Sequence, residues 1–134
     1  MVDVTISLVS YNQRYDIECL LPSLLSAAAH VQAQILLVDC NSNDGTVQFV
    51  HERFPEVDVF VNLKRAGYGE NHNINLDRAK GRYFLIMNSD MTVDPKIFTC
   101  LADFMNEHND IGIVSPKILN MDGTIQGLNK RYPT

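Results

Sequence analysis

No stretch of this chain is apolar for long enough to cross a membrane. The longest runs, such as Ile35–Val38, fall far short of the roughly 18 residues a span needs. The basic start of a signal peptide is missing too: Met1-Val2-Asp3 leads straight into an apolar segment. A cytoplasmic chain is the expectation, with peripheral attachment to the inner face of a membrane left open. Cysteine is scarce and scattered. Cys19, Cys40 and Cys100 are odd in number and form no C-x-x-C pair, which excludes a disulfide framework and a zinc site and fits a reducing compartment. With 7 Gly and 5 Pro the chain is too poor in both for a fibrous protein, and it shows no repeat or low-complexity tract. Positive charge is in deficit: 11 Lys and Arg face 16 Asp and Glu, a net charge of -5. A general nucleic-acid binder needs a basic face, so that class drops out. An anionic small ligand would need local help from a metal, a helix terminus or a placed Arg.

What is present is ample apolar material, 46% of 134 residues, enough for one self-standing core and too short for two domains. Val2–Ser10 is β-branched and free of turn residues, and reads as a buried strand. Asp16 can cap a helix whose apolar positions Ile17, Leu20, Leu21, Leu24 and Leu25 recur at helical spacing, interrupted by Pro22. Ala33–Asp39 is a second strand ending on an acid, and Asp44 or Thr46 would cap a helix through Phe54. Val57–Asn62 is a third strand, followed by the Lys64–Gly69 loop and a helix to about Ala79. Tyr83–Asn88 is a fourth strand, Asp94-Pro95 opens a helix to about Asn106, and Ile111–Ser115 is a fifth strand. Asp122-Gly123 signals a hairpin. This alternation predicts an α/β fold, a mostly parallel sheet with helices on both faces.

In open sheets of this kind, ligands bind outside the carboxyl ends of the strands. Three predicted ends are polar: Ser10-Tyr11-Asn12, Asp39-Cys40-Asn41 and Asn88-Ser89-Asp90. Each has a bland reading beside the functional one. Asp39 either caps the turn after its strand or hydrogen-bonds a base or ribose. Asp44-Gly45-Thr46 is accounted for by capping. Asn88-Ser89-Asp90 is either an Asx-turn or a place where Asp90 meets a hard divalent ion bridging a pyrophosphate, with Asn88 adding a neutral oxygen. Lys64 and Arg65 either face a phosphate or are solvated. Gly67-Tyr68-Gly69 lacks the third glycine of a dinucleotide fingerprint, and no P-loop is present. The four histidines, His30, His51, His72 and His108, share no ligand spacing and read as surface residues.

Taken in order, these pieces resemble glycosyltransferase family 2, the inverting, nucleotide-sugar-dependent enzymes of GT-A fold. The resemblance rests on Val9-Ser10-Tyr11-Asn12, Leu37-Val38-Asp39-Cys40-Asn41-Ser42-Asn43-Asp44-Gly45-Thr46, Asn62-x4-Gly67-Tyr68-Gly69-x3-Asn73, Ala79-Lys80-Gly81-Arg82-Tyr83 and Leu85-Ile86-Met87-Asn88-Ser89-Asp90. The tail is similar to the rhamnosyltransferase-like branch. It comprises Val114-Ser115-Pro116-Lys117-Ile118-Leu119-Asn120, Asp122-Gly123-Thr124-Ile125-Gln126 and Arg131-Tyr132-Pro133-Thr134.

The resemblance implies that Ser10, Tyr11, Asn12, Asp39 and Asn41 line the base and ribose pocket. Lys64, Arg65 and Gly67 through Asn73 would close over the nucleotide, while Asn88, Ser89 and Asp90 stand at the family's D-x-D motif. Asp90 matches the residue that meets Mg²⁺ or Mn²⁺; Asn88 replaces the first acid, removing one negative charge. A nucleotide-diphosphate sugar, dTDP- or UDP-linked, would be the donor, and a glycan or lipid-linked hydroxyl the acceptor, in cell-surface polysaccharide or glycan synthesis. No acid here matches the family's general base, so residues 1–134 are expected to be the donor-binding, N-terminal part of a truncated GT-A domain. An apolar face left uncovered would promote self-association into a homo-oligomer. The alternative is a non-catalytic nucleotide-sugar-binding module acting with a partner chain. A nucleotidyltransferase, which shares a similar sheet, would want a glycine-rich loop after the first strand, where Ser10-Tyr11-Asn12-Gln13-Arg14 has no glycine.

Overall fold

In the structure, a computed structural model that describes residues 2–127, four strands alternate with four helices. They run β1 (Val4–Ser10), α1 (Arg14–Ala28), β2 (Ala33–Asp39), α2 (Thr46–Arg53), β3 (Val57–Val61), α3 (Tyr68–Arg78), β4 (Tyr83–Ile86) and α4 (Ile97–Glu107). Every strand pair is parallel, in the order β3-β2-β1-β4. The first two β-α-β steps carry the chain outward from β1 to β3; the third carries it back past β1 to β4. Crossovers are right-handed, so a reversal of direction puts the connecting helix on the opposite face of the sheet. Accordingly α1 packs with α2 and α4, while α3 lies against β1 and β2.

The two faces differ in chemistry. On the first, Val4, Ile6 and Leu8 of β1 and Ile35 and Leu37 of β2 join Ile17, Leu20, Leu21 and Leu24 of α1, with Val50 and Phe98 from α2 and α4. α1 runs unbroken through Pro22. A proline inside a helix costs about 3 kcal/mol, whereas each of those four buried aliphatic side chains stabilises by roughly 1.5–3 kcal/mol, so packing wins. The second face is partly polar. Thr5 and Ser7, the intervening residues of β1, are fully buried. α3 satisfies Ser7 with Asn75, whose Nδ2 donates to Ser7 Oγ and to the carbonyls of Leu8 and Leu36 at 2.9–3.3 Å, while Thr5 Oγ1 donates to Gln34 Oε1 at 2.8 Å and accepts the Gly81 N–H at 2.9 Å. Burying those groups is tolerable only because they are paired.

Three expectations need correction or trimming. Asp16 does not cap α1. It sits in the first turn, where it accepts from Gln13 Nε2 at 3.4 Å; Gln13 occupies the cap position without a side-chain bond to the helix backbone, and the Arg14 N–H is taken by Asp44 from another loop, at 2.9 Å. Ile111–Ser115 forms no strand: it pairs with none of the four strands of the sheet, and Ile113 is 91% exposed. β1, β3 and β4 are also shorter than expected, by one or two residues at an end. The Asp122-Gly123 turn does form. Gly123 takes φ +83°, the Asn120 N–H donates to the Thr124 carbonyl at 2.8 Å, and Leu119 bridges Ile125 antiparallel. Arg131-Tyr132-Pro133-Thr134 lies outside the described residues. Among the described residues, no helix is long and apolar enough to cross a membrane.

Candidate functional site

The chain reverses direction between β1 and β4, and such a switch point leaves a crevice at the carboxyl ends of the strands. A cleft of about 380 Å³ opens there, lined by Val9, Tyr11, Gln13, Cys40, Ala66, Tyr68, Asn71, Asn88, Ser89 and Asp90. Of the residues singled out from the sequence, Tyr11, Asn88, Ser89 and Asp90 come together in this cleft. Ser10, Asn12, Asp39, Asn41, Arg65, Gly67 and Asn73 do not line it.

Alternation explains the first separation. Ser10 pairs with Asp39 in register, on the face that Leu8 and Leu37 present to α1, whereas Val9 points to the cleft side. Asp39 is fully buried, and its carboxylate accepts the N–H and Oγ–H of Ser42 at 2.7 and 2.6 Å. Ser42 Oγ in turn accepts the Asn12 N–H at 2.8 Å, and Asn12 Oδ1 accepts the Asn43 N–H at 2.9 Å. The turns after β1 and β2 are thereby tied to each other. Asn12 and Asn41 adopt left-handed backbone angles, φ +50° and +60°, a conformation asparagine tolerates better than most residues. The turn-capping role of Asp39 is thus realised, while its two oxygens retain lone pairs for another donor.

Asp44 works at two helices. Its Oδ2 accepts the Arg14 N–H at the start of α1, and its Oδ1 accepts both the N–H and the Oγ–H of Thr46 at the start of α2. Burial would raise its pKa, but the bonds from Thr46 and Arg14 outweigh that and hold the carboxyl below its ordinary range.

The far wall belongs to α3 and the loop before it. Asn62 Nδ2 donates to Asn71 Oδ1 at 2.8 Å, and Asn71 Nδ2 donates to the carbonyls of Ala66 and Gly67. This cinches the loop that carries the exposed Lys64 and Arg65. Asn71, not Asn73, faces the cleft; Asn73 is exposed on the outside of α3. The Gly67 N–H donates to the Glu70 carboxylate at 2.6 Å, so the chain's own acid already occupies part of the anion-attracting end of α3.

Tyr68 crosses the cleft. Its hydroxyl donates to Asn88 Oδ1 at 2.6 Å, and burial, then the nearby Asp90 charge, pushes the phenol upward, keeping it protonated. The Tyr68 ring stands edge-on to His72, with centroids 4.3 Å apart and planes at 74°. His72 is the one histidine misread from the sequence: it is 2% exposed, not a surface residue, and its Nδ1 lies 2.6 Å from Ser7 Oγ. Ser7 Oγ also accepts from Asn75 Nδ2. Desolvation lowers the imidazole's pKa and so favours its neutral form. Tyr68 and Asn71 fall within the Gly67–Asn73 stretch expected to close over the nucleotide, whereas Gln13 and Cys40 line the cleft without any role expected of them from the sequence. For Tyr68 the available signal was its place between two glycines at the start of a helix.

A divalent cation can be tested against these donors. Among the described residues no group of three or more His, Cys, Asp or Glu could cage one. Asp90 is exposed in the cleft wall and makes no side-chain hydrogen bond or ion pair among the described residues. One carboxylate with the remaining positions left for phosphate oxygens and water suits Mg²⁺ or Mn²⁺ at a diphosphate. The donor set fits an open site completed by substrate.

Comparison with known proteins agrees with the architecture. The family model described as Glycosyl transferase family 2 matches residues 5–132. The poly(ribitol-phosphate) beta-N-acetylglucosaminyltransferase TarS of Staphylococcus aureus is 26% identical over 135 residues, covering 97% of this chain and 24% of that protein. The chain therefore spans about a quarter of the length of the curated relatives it matches. Among solved structures, a part of S. aureus TarS in complex with UDP-GlcNAc superposes with a TM-score of 0.71 at 24% identity, over 81% of this chain and 32% of that one. The mannosyltransferase PcManGT from Pyrobaculum calidifontis, in complex with GDP-Man and Mn2+, gives 0.61 at 24% identity, over 74% and 30%. At that identity the structural likeness speaks for the fold, a GT-A type parallel sheet.

Proposed function

This chain belongs to glycosyl transferase family 2, and from that membership we propose that it is the nucleotide-sugar-binding part of a GT-A glycosyltransferase. The proposed reaction moves a sugar from a nucleotide-diphosphate donor to an acceptor hydroxyl with inversion. The observation that carries this reading is the cleft itself. At the switch point of the sheet it gathers two tyrosines, Tyr11 and Tyr68, with Asn88, Ser89 and the unengaged carboxylate of Asp90. The tyrosine faces suit a base or sugar, and the Asn88–Asp90 rim suits the diphosphate. Lys64 and Arg65, on the loop beside α3, would offset phosphate charge in a chain of net charge -5. Asp39 and the Asn12–Ser42 tie would set the turns around the base and ribose.

Asp90 would hold Mg²⁺ or Mn²⁺, which when bound offsets the charge of a departing diphosphate. The rest of the chemistry falls to the chain. Inversion needs an acceptor hydroxyl placed in line and a base to take its proton. Asp90 is the one carboxylate among the described residues lining the cleft. That favours, as a second reading, a module that binds a nucleotide sugar without turning it over and acts with a partner chain. On the likeness of residues 114–126 and 131–134, the rhamnosyltransferase-like branch and a dTDP- or UDP-linked donor are part of the proposal, with a glycan or lipid-linked acceptor.

Thermal unfolding with UDP, dTDP and GDP, each with Mn²⁺ or with chelator, tests the donor site. Ligand at 100 times its dissociation constant stabilises by about 2.7 kcal/mol, a rise of several degrees at this size. A shift with one nucleotide, lost in chelator, is the expected result and names the base. No shift with any of the three would end the donor-site reading. With binding established, sugar transfer by the chain separates the enzyme from the binding module.

A further inference from the structure

We propose that the Tyr68 hydroxyl is a diphosphate contact of the donor site: it leaves Asn88 and donates to a phosphate oxygen when a nucleoside diphosphate enters the cleft. The proposal deepens the reading of the cleft as a donor site and rests on it. Tyr68 is the first residue of α3 and stands across the cleft from the Asn88–Asp90 rim, with its hydroxyl 2.6 Å from Asn88 Oδ1. A phosphate group drawn to that rim arrives within the reach of this hydroxyl.

The ring is not free to wander. Its edge contact with His72, at 4.3 Å between centroids, ties it to a buried imidazole bonded to Ser7 on the central strand. Changing partners therefore asks only for rotation of the O–H bond and movement of the exposed Asn88 side chain. The exchange is favourable, because hydrogen bonds to an ionised acceptor are roughly twice as strong as those to a neutral amide oxygen. The Gly67 N–H just before α3 is already committed, to the Glu70 carboxylate at 2.6 Å. A neutral phenol also supplies a donor next to Asp90 without forming an ion pair with it. An Arg or Lys there would neutralise the carboxylate assigned to the cation.

Tyr68→Phe keeps the ring on His72 and removes only the hydroxyl, so the variant should melt with the parent. Titrations of UDP and of uridine in Mg²⁺, followed by NMR, read the effect, with dTDP and thymidine as a second pair. Trading a charge-assisted bond for a neutral one predicts a loss of about fivefold in UDP affinity, with uridine affinity unchanged. Equal UDP affinity in the variant and the parent would overturn the assignment. So would equal weakening of UDP and uridine, which would make Tyr68 a structural residue of the wall. A parent chain that binds none of the diphosphates fails the donor-site reading itself, and the Tyr68 assignment falls with it. A parent that binds and a variant that binds equally removes the Tyr68 assignment alone.

Discussion

Two glycines in the family motifs, Gly81 and Gly69, should respond to the same substitution with opposite signs. A Cβ on Gly81 would lie 2.4 Å from the backbone nitrogen of Thr5, 2.7 Å from the carbonyl carbon of Val4 and 2.9 Å from Thr5 Oγ1. Those are mainly backbone atoms of β1, which is paired on both sides, to β2 and to β4, and cannot yield. The loop must move instead. That would stretch the bonds from the Gly81 N–H to Thr5 Oγ1 at 2.9 Å, from the Lys80 N–H to Gln34 Oε1 at 2.9 Å and from the Arg82 N–H to the Val2 carbonyl at 3.1 Å. Overpacking of this kind costs about 1–3 kcal/mol, and each weakened hydrogen bond adds up to about 1 kcal/mol. Gly81→Ala should therefore lose about 3 kcal/mol, a drop of roughly 10 °C in the melting midpoint at this size. Gly69 lies inside the first turn of α3, with no atom within 4 Å of an added Cβ. Gly69→Ala should gain about 0.5 kcal/mol from helix propensity. Urea and thermal unfolding of both variants measure this. A Gly81→Ala protein within 1 kcal/mol of the parent, or a Gly69→Ala protein less stable than it, would refute the close-approach argument.

His72, buried and neutral, binds a proton less readily folded than unfolded. Stability should then be full above about pH 6.5 and fall as pH drops below it, by at most about 1.4 kcal/mol per pH unit. His72→Gln should flatten the unfolding free energy between roughly pH 6.5 and 5; an unchanged slope would assign that dependence to other groups. Asp44→Ala removes the acceptor at the start of both α1 and α2, and should cost about 2 kcal/mol at neutral pH. Because the folded carboxyl is held below its ordinary value, that difference should shrink in acid, and urea titrations at pH 7 and pH 3 would show whether it does. Asp90→Ala should abolish the cation-dependent part of nucleotide binding while leaving the melting midpoint of the free protein in place. Retained Mn²⁺ dependence in the melts would remove Asp90 from the site.

The candidate site was legible where local chemistry and strand ends coincide. Asn88-Ser89-Asp90 and Tyr11 stood out as polar or aromatic residues just past apolar strands, and they line the cleft. It was illegible where alternation and helix phase decide direction. Ser10 and Asp39 were read as one wall with Tyr11, yet the pleat turns them toward α1. Within the Gly67–Asn73 stretch Asn71 faces the cleft and Asn73 does not, because two positions along a helix is a rotation of about 200°. His72 reads as a surface residue because, on a helix as polar as α3, one more polar residue gives no sign of meeting a buried serine.

Taken alone, the sequence determined the elements and their order. β-branched runs separated by capped helices leave few alternatives, and right-handed crossovers then dictate a parallel sheet with helices on both faces. It overcounted strands at Ile111–Ser115, because an apolar run records a tendency to extend but not whether an unpaired edge is at hand. Tertiary structure alone decided who meets whom. Asp44 caps a helix that begins 30 residues before it in the chain, and Asp39 holds Ser42, which holds Asn12. Gly81 must stay small because β1 passes 2.4 Å from where its Cβ would be. Hydrogen bonds and steric contacts act over about 3 Å, and only the folded chain brings residues so far apart in sequence within that range.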